Sequence, residues 1–124
     1  MSDDERPDIW VGHVSLGTTD LEGSKKFLED IGLRHEFETE SMVIKELRGG
    51  THIIMQEKDA LEDTDAYFDF MVEDVDQAWE KMNGLGYDVS EISRGKIHDT
   101  FVVTEPGGNR IRVNSSHVRD HSIV

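Results

Sequence analysis

Cysteine is absent from the 124 residues, and proline occurs only twice. Without thiols the chain forms no disulfide and no thiolate zinc site, a composition suited to a reducing cytoplasm. No apolar run is long enough to cross a bilayer. The opening stretch MSDDERPD is acidic and lacks the hydrophobic segment of a secretory signal. Positive charge is scarce as well. The 13 lysines and arginines stand against 27 acids, for a formal net charge of -14. Such a surface repels nucleic acid and anionic membranes, favours solubility, and could draw a cationic ligand or a basic partner. No serine sits in a nucleophile-elbow context. The Gly49-Gly50 and Gly107-Gly108 pairs lead into no helix, so they read as turns rather than phosphate loops.

Within this acidic chain one stretch is written twice. Residues 13–33, HVSLGTTDLEGSKKFLEDIGL, align without a gap on residues 67–87, YFDFMVEDVDQAWEKMNGLGY. Asp20 meets Asp74, Leu21 meets Val75, Leu28 meets Met82, Ile31 meets Leu85 and Gly32 meets Gly86, while His13 meets Tyr67. A duplicated strand–helix unit implies two modules around one shared site. The length fits one domain with a modest core. The expected division is a disordered acidic tail (1–8), a single domain (9–117) of two modules (9–57 and 66–117), and a C-terminal tail (118–124).

Each module opens on a strand, 10–16 and 67–72, and continues into a helix capped by Asp20 or Asp74. Leu21, Phe27, Leu28 and Ile31 recur at helical spacing in the first helix. Val75, Ala78, Trp79, Met82 and Leu85 do so in the second, and both sets read as buried stripes. Gly32 and Gly86 supply the stops. Three strands follow in each module: 34–39, 42–47 and 51–56, then 87–92, 98–104 and 110–117. Arg48-Gly49-Gly50 and the run from Glu105 to Asn109 are turns.

Three segments carry a family likeness: the H-x6-D-L start at His13–Leu21, the V-E-D-V-D run at Val72–Asp76, and E-P-G-G-N-R-I-R-V at Glu105–Val113. In the order βαβββ–βαβββ they resemble the vicinal oxygen chelate superfamily of glyoxalases, bleomycin resistance proteins and extradiol dioxygenases. The resemblance spans residues 9 to 117. It implies an α+β fold in which two βαβββ modules form a curved mixed sheet around a cup, and it implies a homodimer. It does not set the function, which varies across the superfamily. In metal-using members each module contributes ligands from its first and last strands. Those positions fall on His13, near Ile54, on Tyr67 and on Arg112. Only His13 is a standard ligand, and Arg112 is a permanent cation that repels a metal. The expectation is therefore no standard catalytic metal. His52 and Gln56, which share a strand face, are the residues that could join His13 around a divalent ion.

Strand alternation sets Tyr67, Asp69 and Met71 opposite Phe68, Phe70 and Val72, and sets Arg110, Arg112 and Asn114 opposite Ile111 and Val113. The apolar sets suit a layer beneath helices, and the polar sets face the cup together with His13 and Ser15. The expected ligand-binding residues are His13, Ser15, Tyr67, Asp69, Arg110 and Arg112. Either an Asp69–Arg112 ion pair fills the vacated metal centre, or Arg112 receives an anionic or carbonyl group of a small ligand. In the second case Tyr67 and His13 are hydrogen-bonding partners. His13 and His98 are the candidate catalytic residues, with His98 either a general base without metal or a rim residue with no role. His35, His117 and His121 read as surface or tail residues.

Three functions are compatible with these residues. The first is a bleomycin-resistance-like protein that binds a small molecule in a polar cup without the standard metal. The second is a metal-dependent lyase, isomerase or dioxygenase with a degenerate site around His13. The third is a non-catalytic protein-interaction module that uses the acidic surface.

Overall fold

A computed structural model describes residues 7–116. The expectations for the terminal tails, Pro7 and Asp8 apart, and those for His117 and His121 concern residues outside that range. The chain runs β1 (His13–Thr18), α1 (Leu21–Asp30), β2 (Arg34–Glu38), β3 (Met42–Glu46), a 3₁₀ turn (Arg48–Gly50) and β4 (His52–Glu57). It continues as β5 (Asp65–Val72), α2 (Val75–Gly84), β6 (Asp88–Val89), β7 (Thr100–Thr104) and β8 (Arg110–Ser115). Sheet one has the order β1-β4-β3-β2 and sheet two the order β5-β8-β7-β6. β1 runs parallel to β4 and β5 parallel to β8; the other pairs are antiparallel. The repeated sequence thus folds as two repeated βαβββ units, an α+β architecture without a closed barrel.

The local signals act as expected. Asp20 accepts the amide of Gly23 at 2.9 Å and Asp74 accepts that of Gln77 at 3.0 Å. Each removes one unsatisfied donor from a helix start. Gly32 turns the chain out of α1 at φ 100°, a conformation that strains any residue with a Cβ. Phe27 and Leu28 of α1 and Val75 and Met82 of α2 are buried against alternate residues of the strands, among them Ile53, Met55, Phe101 and Val113.

Several boundaries move. β1 begins at His13 rather than Trp10, and Ile9, Trp10 and Val11 stand exposed ahead of it. The strand expected over 87–92 shrinks to two residues. There the Ser90 hydroxyl, in place of a backbone carbonyl, accepts the Val102 amide at 2.9 Å, and the regular ladder stops. β7 starts at Thr100, leaving His98 outside it. Leu85, expected in the buried stripe, lies just past α2 and is half exposed.

The two modules are fastened on the helix side of the sheets. The Thr18 and Ser24 hydroxyls are 2.7 Å apart, and Ser24 donates to Glu105 across the chain. The other Glu105 oxygen accepts the backbone amide and side-chain amide of Asn109, whose Nδ2 also donates to the Gly17 carbonyl at 2.7 Å. All four side chains are buried, so their mutual bonds replace the water they lose. Phe27 meets Tyr87 edge-on at 5.0 Å, and the Tyr87 hydroxyl donates to Asp30 at 2.6 Å.

Candidate functional site

Alternation along β5 and β8 builds the polar face of sheet two. Phe70, Ile111 and Val113 are buried toward the helices, while Tyr67, Asp69, Arg110 and Arg112 are exposed on the other side. Tyr67, Asp69, Arg110, Arg112 and Asn114, with Asp65, Ala66, Phe68 and Val102, line an open pocket of about 430 Å³. Arg110 donates to Asp65 at 2.8 Å. The Tyr67 hydroxyl donates to Asp63 at 2.9 Å, and that carboxylate raises the phenol pKa above its ordinary value. Asp69 and Arg112 are direct neighbours on adjacent strands, yet Asp69 accepts from Asn114 instead. The Asp69–Arg112 ion pair is not formed. The Arg112 side chain makes no hydrogen bond or ion pair among the described residues.

His13 and Ser15 lie on the exposed face of sheet one and do not line this pocket. His13 pairs in register with His52, and their rings meet edge-on at 5.6 Å. His52 therefore faces the same side as His13, as the strand pattern allowed. Its Nε2 is 3.5 Å from a Glu46 oxygen. Glu46 also binds Arg34, whose guanidinium is the main cause holding that carboxyl below the usual range, with His52 adding to it. Gln56 shares the strand face but lies four residues from His52, roughly 13 Å along the strand. His98 donates its Nδ1 proton to the Ser115 carbonyl at 2.6 Å and does not line the pocket.

The positions that the family resemblance gives to metal ligands fall on His13, near Ile54, on Tyr67 and on Arg112. One offers no donor, one is a guanidinium, and the phenol is already engaged by Asp63. This donor set does not fit a divalent ion. Of the six residues expected together, Tyr67, Asp69, Arg110 and Arg112 line one pocket and His13 and Ser15 lie on the other sheet; the sequence reading did not single out Glu36 and Glu46 on sheet one. Alternation with Ile44 along β3 was the available signal for Glu46; Glu36 had none.

Paired βαβββ modules, each presenting an open polar sheet face, define a class of small two-module α+β proteins. The chain matches the Glyoxalase/Bleomycin resistance protein/Dioxygenase superfamily over residues 10–113 and belongs to it. No curated protein matches it in sequence. Among solved structures it is similar to a lactoylglutathione lyase from Agrobacterium tumefaciens, with 17% identity, a TM-score of 0.77, and coverage of 94% of this chain and 100% of the other. It is also similar to an antibiotic-binding protein from a Streptomyces species, with 16% identity, a TM-score of 0.74, and coverage of 90% and 99%. A bleomycin resistance determinant encoded on a transposon follows at 14% identity and a TM-score of 0.68, with coverage of 87% and 98%. At these identities the likeness is one of fold. No helix among the described residues is long and apolar enough to cross a membrane.

Proposed function

We propose that the protein binds a small molecule carrying an anionic or carbonyl group in the polar pocket of sheet two, without the standard catalytic metal of its superfamily. The observation that carries this reading is the unengaged guanidinium of Arg112. Its neighbours Arg110 and Asp69 are occupied by Asp65 and Asn114, so Arg112 alone offers its donors to an incoming group. A guanidinium takes a carboxylate or phosphate through two parallel bonds. Tyr67, 87% exposed, adds an aromatic face beside it. An antibiotic-binding protein and a resistance determinant among the structures of similar fold support a small-molecule occupant.

The pocket is lined from one sheet only. His13 and Ser15 reach the ligand when a second copy of the chain lays its sheet one over this sheet two. The reading therefore includes a homodimer with two such cups. The cysteine-free composition supports a cytoplasmic setting.

The test is a thermal-shift screen of small carboxylates, keto acids and phosphate esters. A ligand at a hundred times its Kd stabilises the fold by about 2.7 kcal/mol. Arg112→Gln, at an exposed position, should leave the unliganded melting temperature unchanged and abolish the shift. A screen without any shift, or a shift that survives Arg112→Gln, rejects the reading.

A further inference from the structure

The exposed face of sheet one carries a line of chemistry that the pocket of sheet two does not use. Arg34, Glu46, His52 and His13 sit side by side across β2, β3, β4 and β1, because Arg34 pairs with Glu46, Glu46 with His52, and His52 with His13 in strand register. Between His35 and Phe37 the register of β2 against β3 shifts, which leaves Glu36 unpaired in the ladder. A bulge of this kind re-aims a side chain. Here Glu36 joins Glu46 and His52, and one ligand atom from each lies within 4.8 Å of the others. Glu46 and His52 are half-buried, and Glu36 is exposed.

From this convergence we infer a binding site for a divalent first-row transition ion, Zn²⁺ in the first instance, held by Glu36, Glu46 and His52. An imidazole and two carboxylates suit that ion, with bonds of about 2.0–2.2 Å. Two glutamates brought this close repel one another, and the Glu36 side chain has no hydrogen bond or ion pair among the described residues. Among the described residues the cation beside them is Arg34, bound to Glu46 and itself largely exposed, so it swings into solvent when an ion arrives. Three protein ligands leave a coordination position open, and the His13 ring stands next to His52. All three ligands come from β2, β3 and β4 of a single sheet. The site is thus separate from the first-and-last-strand positions of His13, Ile54, Tyr67 and Arg112, and it does not depend on ligand binding at Arg112.

The experiment is calorimetric titration of the untagged, chelator-stripped full chain with ZnCl₂, paired with Co²⁺ titration read by visible absorption. One ion per chain is expected, with a Kd in the micromolar range, that is about -8 kcal/mol. His52→Ala and Glu36→Gln should each weaken binding by about tenfold or more. Arg34→Ala should strengthen it by removing the competing cation. Glu36 is exposed, so Glu36→Gln keeps the fold, and circular dichroism of the stripped variants checks this. No binding at millimolar ion overturns the inference, as does binding that Glu36→Gln and His52→Ala leave intact. Loss in His13→Ala and Tyr67→Phe with full binding in Glu36→Gln also overturns it, by placing the ion at the superfamily's own position.

Discussion

Lys45 carries a positive charge into the layer between β3 and α1. Its side chain is fully buried, and Nζ lies 2.9 Å from both Glu29 and His35 Nδ1. An unpaired ammonium in that position would cost several kcal/mol, so the partners are what make the site tenable. The bond from Lys45 is the chief cause holding the Glu29 carboxyl below its usual value of 4.5. A lowered folded pKa means that the pair stabilises fully above the unfolded value and fades as pH falls through the folded one. Glu29→Gln should therefore melt below the wild type at neutral pH, with the difference closing on acidification. A difference that stays constant with pH would show that the pair is not responsible. Lys45→Ala should cost about 2 kcal/mol in urea unfolding, less than a fully buried pair because Glu29 is half exposed, and Lys45→Met should recover most of it. Nothing in the sequence MVIKE distinguishes this lysine from a surface one. Its burial follows from alternation with Val43 only once the face of β3 beneath the helix is known.

The turn between β7 and β8 shows how one element fastens two modules. Gly107 is needed there for space rather than for its backbone angle. A Cβ on it would fall inside van der Waals contact of Thr18 Oγ1 and Ser24 Oγ. Gly107→Ala should destabilise by about 1–3 kcal/mol. Gly84→Ala, at the exposed end of α2 with nothing near the new methyl, should stabilise slightly. Equal responses of the two variants in urea unfolding would remove the argument for a tight clasp. At this scale the sequence was legible wherever the signal was local. The Asp20 and Asp74 caps, the Phe27–Leu28 stripe and the two-residue alternation of β5 and β8 need only near neighbours in the chain. Partner choice was not legible. Alternation puts Asp69, Arg112 and Asn114 on one face but does not say which of them Asp69 will bind, and Asn114 wins. The extra residue in β2 and the early end of β6 at Ser90 depend in the same way on the neighbouring strand.

For the whole molecule, the proposed cup draws one wall from each of two chains. Sedimentation at micromolar concentration should give a mass twice the 14.1 kDa of the chain. The association should strengthen with added salt, because two copies of net charge -14 repel until screened. A monomer at all salt concentrations would remove His13 and Ser15 from the ligand's reach. The order of strands limits how such copies can meet. β2, at the outer edge of sheet one, reads RHEFE and is exposed along its length, and β6, at the outer edge of sheet two, is only two residues long. Charged or very short edges refuse an added strand. The other two edges are β1 and β5, and the proposed cup, built from the faces of the sheets, leaves them unused. Growth by added strands is thus hindered at β2 and β6 and rests on β1 and β5 alone.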